Sequence, residues 1–562
     1  MSELTRRGFM RLAANGLVAG ALGTPLVFAA CRPAAPGGGT PAGVSRSALT
    51  AGLKLPTHVP FQAPKPDMEP TVSGVPPVYN AYPSGPLKTV PGPIGKGGDV
   101  TLTGRFIGPP ATPFEQNVAW QEMNKQVGFN LKFNMYPQAD YATRLQTLIA
   151  GGQLPDIFVQ ASQASTMQSE PEFMEAQAAD LTTFLAGDAI KDYPNLANLP
   201  SYAWPTMVFN GKIFGIPRLK GGLAGPNGTS LIAQGKAFDA IGQGSLTFKN
   251  TGEFSSALKA VTNARAGVFA LGQTGLIAPH WWFAQCFGAP NQWRSVGGKL
   301  TRDWETDEYR AALAYFRSLW DMGVVHPETP SGGPTNGFYA GKHVLWPNSF
   351  IAFDTTWASS VRQDPDFKPR VITPFSADGS VQPVYHLGLG QTGRTVLRKA
   401  SPERVKELLG LLNYFVAPFG SQEYLLLYYG VQGADWTYDA QGNPRQTEQG
   451  ARDVLTTNLW FPFVTPPDAL YNPALGDYVK VARQAQVESF ALALTNPVAG
   501  LYSKTDASQG TALTQRIADT VTGIAYGRDG LSALDEAVRT WRRDGGDQIR
   551  AEYEQALQVA SG

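Results

Sequence analysis

The stretch DVTLTGRFIGPPATPFEQNVAWQEMNKQVGFNLKFNMYPQADYATRLQTLIAGGQLPDIFVQ, residues 99–160, decides the fold. DVTLTGRFI reads as a strand, with Val100 and Leu102 on one face. A helix follows. Thr112 and Glu115 have capping-box spacing, Pro113 falls at the first helical position and Gly128 supplies the stop. Val118, Ala119, Met123 and Val127 make its apolar stripe. FNLKFNMYP alternates as a second strand. DYATRLQTLIAGG is a second helix, capped by Asp140, with Tyr141, Leu145, Leu148 and Ile149 on one face, and LPDIFVQ is a third strand. Strand–helix–strand–helix–strand predicts a parallel sheet with right-handed crossovers. Ligands of such sheets bind beyond the carboxyl ends of the strands. The loops Gly108–Pro113 and Gln160–Gln163 therefore point at a site.

Ahead of this block, residues 6–31 read RRGFMRLAANGLVAGALGTPLVFAAC. As a helix, Leu17–Ala30 would cover about 20 Å against roughly 30 Å of hydrocarbon, too little to span. A positive start, a short apolar run and small residues at the end describe a secretory signal over residues 1–30. Thr5-Arg6-Arg7-Gly8-Phe9-Met10-Arg11 resembles the twin-arginine export pattern, with the general secretory route and an uncleaved anchor helix as alternatives. Val27-Phe28-Ala29-Ala30-Cys31 resembles a bacterial lipobox, with Phe28 where Leu is usual, and makes Cys31 the expected lipid attachment. Residues 31–97 are dense in Pro and Gly and read as a semi-rigid spacer, or a disordered tail, without a core of its own. The expected location is outside the cytoplasmic membrane or at the cell surface.

The 562-residue chain leaves 465 residues after this front end, enough for two or three domains. Net charge is +1, and residues 1–30 carry +2 of it through Glu3, Arg6, Arg7 and Arg11, so the remainder is near −1. Nothing basic is left to bind nucleic acid through its phosphates. Of two cysteines, Cys286 beside Phe287 reads as a buried small hydrophobe. The five histidines show no metal-ligand spacing, so no metal or cofactor is expected. Gly388-Leu389-Gly390-Gln391-Thr392-Gly393 matches the dinucleotide-binding pattern, but a strand-like run, TVLRK, follows it where a helix is required. Further helices are predicted at TDEYRAALAYFRSLWDMG and at SPERVKELLGLLNYFVAP, which starts at Ser401 and Pro402 and stops at Pro418.

NVAWQEMNKQVGFNLKFNMYPQADYATRLQTLIAGGQLPDIFV resembles the start of the bacterial extracellular solute-binding proteins, receptors of ABC importers. ADLTTFLAGDAIKDYPNLANLPSYAWPTMVFNGKIFGIPR, FYAGKHVLWPNSF, RTVLRKASPERVKELLGLLNYFVAP and YYGVQGADWTYDAQGNP follow in that family's order, and the ordered set carries the resemblance to its lipid-anchored sugar-type subgroup, family 1. The resemblance implies an α/β fold of periplasmic-binding-protein-like type II, with two α/β lobes joined by a hinge. Lobe 1 would be 98–217 plus 384–430, and lobe 2 would be 218–383 plus 431–562. The hinge would lie near Ile216-Pro217-Arg218 and Tyr385-His386-Leu387-Gly388. Asp439-Ala440-Gln441-Gly442-Asn443 superficially matches a calcium loop of an acidic-oligosaccharide subgroup, but lacks its acidic ligands and reads as a turn.

The function implied is capture of a sugar or short oligosaccharide between the lobes by a monomeric, non-catalytic lipoprotein, and its delivery to an ABC permease. A surface-anchored carbohydrate-active enzyme, and a receptor for peptides or another non-sugar solute, are the alternatives. Aromatic planes stack on sugar C–H faces, and planar polar groups pair with the hydroxyls. Candidate ligand contacts in segments that the two-lobe reading puts at the cleft are Gln160, Gln163, Trp204, Arg218, Trp281, Trp282, Asn348, Asp354, Trp357 and Trp436. His280 and Trp293 are neighbours of the same kind, and Asp354 reads equally well as a helix cap.

Overall fold

The computed structural model describes residues 52–62, 64–106, 108–161, 170–219, 230–272, 279–331, 336–455 and 459–561. The signal, Cys31 and the start of the Pro/Gly-rich segment lie outside them. The strands that build the architecture are β1 (Asp99–Phe106), β2 (Asn130–Pro137), β3 (Ile157–Ala161), β4 (Ile216–Pro217), β5 (Ser230–Gln234), β6 (Phe269–Leu271), β7 (His343–Asn348), β8 (Pro369–Ile372), β9 (Tyr385–His386), β10 (Gly393–Leu397) and β11 (Ala493–Leu494). The helices that matter most are α1 (Val118–Val127), α2 (Gln138–Ala150), α3 (Glu170–Gln177), α4 (Pro279–Cys286), α5 (Asp307–Asp321), α6 (Phe353–Gln363), α7 (Pro402–Phe415), α8 (Gln422–Tyr429) and α9 (Tyr478–Phe490).

The expected unit is present. β1 pairs in parallel with β2, Val100 opposite Leu131, and with β3, Leu102 opposite Ile157. α1 starts later than its local signals suggest. Asn117, rather than Thr112, caps it, accepting from the Trp120 N–H at 2.8 Å, and Phe114–Gln116 forms a separate 3-10 turn. Asn117 Nδ2 also donates to the Asp453 carbonyl at 3.0 Å, so a tertiary partner outcompetes the local capping box. α2 starts at Gln138, with Asp140 inside its first turn. Thr306 and Ser401 cap α5 and α7, as Ser/Thr side chains ahead of an apolar-periodic run should.

Two sheets result. The first has the order β2–β1–β3–β10–β4, with β10 antiparallel to both its neighbours. The second has the order β8–β5–β7–β6. Each sheet has its own core. Leu102, Ile157 and Val159 pack with Leu408 and Leu412 of α7 in one. Leu231, Ala233 and Leu345 pack with Trp282, Phe283 and Cys286 of α4 and Phe316 of α5 in the other. This is the expected two-lobed α/β architecture, each lobe with its own sheet and core. Cys286 is fully buried, and burial raises its thiol pKa to about 12, in keeping with a packing role. The glycine-rich run 388–393 leads into β10 rather than into a helix.

The chain crosses between lobes from β4 to β5 and from β8 to β10. On the second crossing, β9 pairs in parallel with β11, Tyr385 opposite Ala493. Asn291 Nδ2 donates to the carbonyls of Leu387 and Leu494, both at 2.9 Å, and so ties this short ladder to the second lobe. The second lobe was expected to resume at 431. Instead Val454, Leu459, Trp460, Phe463 and Val464 fill the first core, and the chain reaches α9 only afterwards. The hairpin Trp436–Tyr438/Pro444–Gln446 stays with α8, because Trp436 packs on Leu425 and Phe419.

The Pro/Gly-rich segment from Gly52 is irregular, as its composition predicts, but it is docked rather than free-standing. Val75 packs with Tyr385 and Phe490, Val78 with Trp357 and Leu470, Tyr79 and Tyr82 with Phe419 and Trp436, and Val90 enters the first core. Residues 72–90 thus form a strap that touches both lobes. Buried Glu423 clamps it by accepting from Val90 N at 2.9 Å, Thr89 N at 3.0 Å and Thr89 Oγ1 at 3.0 Å. Glu423→Ala strands those donors, and equilibrium denaturation is expected to show a loss of about 2–4 kcal/mol, with faster proteolysis within 72–97. Glu423→Gln, which keeps an acceptor, should lose less. Equal stability of all three proteins would contradict the clamp.

Candidate functional site

Parallel pairing puts the carboxyl ends of β1, β3 and β4 on one edge of the first sheet. Antiparallel β10 starts at the same edge, since Arg394 lies opposite Gln160 on one side and Pro217 on the other. The chain leaves this edge at Arg218 toward β5 and returns to it at Gly393, so the edge faces the second lobe. Arg105, Gln160, Arg218 and Arg394 occupy it, with Tyr141 from α2 and Glu170 from the start of α3.

Two of these cations differ in their partners. Arg394 Nη1 donates to Glu170 Oε1 at 2.7 Å, with both side chains almost fully buried. Gln160 Nε2 donates to the same oxygen at 2.7 Å. That contact orients the amide and leaves Gln160 Oε1 buried without a hydrogen bond. The Arg394 guanidinium also lies 4.7 Å from the centre of the Phe209 ring.

Arg218 is held by its backbone. Its N–H donates to the Gly393 carbonyl at 3.0 Å, and its carbonyl accepts from Thr392 N–H at 2.8 Å. Its side chain is a different matter. The residue is 4% exposed, and Nε and Nη1 have no hydrogen-bond partner. Burial and then the nearby Arg105 cation pull its pKa down to about 9, which still leaves it charged at neutral pH. Tyr141 offers no countercharge. Burial raises its pKa, and its hydroxyl donates to Val159 O at 2.6 Å while accepting from Val159 N at 3.1 Å. Across from this edge, Ser230 opens β5 opposite Asn348, which closes β7. Both are buried, and Asn348 Oδ1 accepts from Ser349 N at 2.8 Å.

The structure therefore brings Gln160 and Arg218 together on one sheet edge and puts Asn348 on the edge of the other sheet. The aromatic candidates go elsewhere. Trp204 is buried in the first core, Trp282 and Trp293 in the second, Trp357 against Phe353 and Tyr478, and Trp436 against the strap. Of the twelve tryptophans, Trp281, at 49%, is the exposed one. Asp354 sits in the first turn of α6, exposed, its Oδ1 accepting from Thr355 N at 2.6 Å; the cap position is Ala352. Gln163 and the His280 side chain lie outside the described residues. Asp439 closes a turn, accepting from Gln441 N and Asn443 N at 2.9 Å each.

Arg105, Arg394, Glu170 and Tyr141 were not singled out from the sequence. Arg105 had a usable signal, because it ends β1 as Gln160 ends β3. Arg394 and Glu170 had none, since their meeting depends on β10 joining a sheet whose other strands lie far away in sequence.

No family model matches the chain. It is 25% identical over 458 residues to the polygalacturonan/rhamnogalacturonan-binding protein YtcQ of Bacillus subtilis, a match covering 79% of this chain and 88% of that one. It is 22% identical over 470 residues to lipoprotein LipO of the same organism, covering 80% and 90%. Its backbone superposes with a TM-score of 0.62 on an HMO-binding, ABC-transporter-associated solute-binding protein of Bifidobacterium longum infantis, at 13% identity and covering 83% of this chain and 99% of that one.

A buried cation without a partner is a stability cost that an apolar replacement removes. Arg218→Met is expected to stabilise the ligand-free protein by about 1–3 kcal/mol in chemical denaturation. A loss of similar size would show that the guanidinium is structurally satisfied.

Proposed function

We propose that the chain is an exported solute receptor that captures a sugar or short oligosaccharide between its lobes and presents it to an ABC permease. The observation that carries this reading is the polar edge of the first sheet. Gln160 Oε1 and the Nε and Nη1 of Arg218 are buried without hydrogen-bond partners there, where the chain passes to a second lobe with its own sheet and core. Buried groups left unpaired in a rigid frame suit a ligand that supplies the missing donors and acceptors. Similarity to a polysaccharide-binding protein over most of both chains supports saccharide over peptide. Binding without turnover accounts for the site, in which the one buried carboxylate, Glu170, is engaged by Arg394 and Gln160. Hinge closure over the ligand would shift the population toward a closed form to the extent that the ligand prefers it.

Residues 1–30 would direct export through the twin-arginine pair Arg6-Arg7, and Cys31 would carry the lipid that holds a monomer at the outer face of the cytoplasmic membrane or at the cell surface. Similarity to a lipoprotein supports the anchor.

Residues 32–562, screened by thermal shift against neutral and acidic oligosaccharides and against peptides, should melt higher with a saccharide, by the equivalent of about 2.7 kcal/mol at a hundredfold excess over Kd. The saccharide should be recovered without new reducing ends. Shifts with peptides alone, or cleavage of the glycan, would favour the rival readings. In cells, Cys31→Ser should move the protein from the membrane to the soluble fraction, and retention on the membrane would refute attachment there.

A further inference from the structure

We propose that the saccharide carries a carboxylate, as a uronic acid does, and that Arg218, seconded by Arg105, receives it. The inference deepens the receptor reading and rests on it.

The argument is one of charge. Three arginines, 105, 218 and 394, share the strand-end edge with a single buried carboxylate, Glu170. That carboxylate is spent on Arg394 and Gln160. Among the described residues neither Arg218 nor Arg105 has an ion pair. The edge is thus built with an excess of positive charge, part of it 4% exposed and without hydrogen-bond partners at Nε and Nη1.

Burying such a charge is unfavourable unless an anion meets it. A neutral hydroxyl would satisfy one N–H and leave the charge uncompensated. A carboxylate presents two coplanar oxygens, which match two neighbouring N–H groups of a guanidinium in parallel. Gln160 Oε1, held free by the Glu170 contact on its amide nitrogen, then offers an acceptor to a hydroxyl of the same saccharide.

The test is titration calorimetry on the mature chain, residues 32–562, with digalacturonate, its neutral counterpart galactobiose, and inorganic phosphate. Digalacturonate is expected to bind, galactobiose about 100-fold more weakly, and phosphate alone not measurably. Arg218→Gln should weaken digalacturonate about 100-fold while melting no lower than the wild type, and Arg218→Lys should recover part of that loss. Arg105→Gln, at a less buried position, gives a second reading and should weaken binding about tenfold. Equal affinity for the two disaccharides, or arginine variants that bind both as the wild type does, would overturn the carboxylate assignment and leave the saccharide receptor standing. Phosphate binding as tightly as digalacturonate would also overturn it, by showing a general oxyanion site. Binding of peptides with no saccharide bound would instead remove the receptor reading on which it rests.

Discussion

Parallel pairing of β1 with β2 and β3 sends three carboxyl ends to one edge, and the candidate site depends on that edge. A parallel sheet offers loops and unpaired ends there and helices on its faces, so polar side chains collect at the edge while the faces stay apolar. β10 enters antiparallel and brings Arg394 to the same edge, where it meets Glu170. β4 ends there too, and Arg218 follows it into the crossing. One topological fact therefore places a neutralised arginine and an orphaned one at neighbouring positions of the same strand-end edge.

The two cores stay separate because each sheet buries its own faces, and the connections between them are thin. A two-residue ladder, β9 with β11, braced by Asn291, is the ordered part of the second crossing. The strap at 72–90 lies over this region and touches both lobes, with Val78 bridging in parallel to Leu470 ahead of α9. A segment docked on both lobes links whatever holds the N-terminus to the relative motion of the lobes.

Much of this was legible locally. Alternation and caps gave β1, β2, β3, α5 and α7, and the position of Gln160 after β3 marked the edge. What was hidden depended on distant partners. Asn117 caps α1 because Asp453 fixes it, which no local pattern reveals. Composition concealed the strap, since Val75, Val78, Tyr79, Tyr82 and Val90 are sparse among prolines yet each is buried. The tryptophans misled for a physical reason. A large apolar ring gains most by leaving water, and the two cores with their satellite clusters take all but Trp281 out of full exposure. The charged edge was the more informative signal, because a buried guanidinium needs a partner and an indole ring does not.

The central claim is that two lobes, each on its own sheet, close over a saccharide at this edge. Small-angle X-ray scattering of residues 32–562, with and without a saturating saccharide ligand, tests it most directly. A smaller radius of gyration in the bound protein is the result this account predicts. An unchanged radius with the ligand demonstrably bound would contradict it.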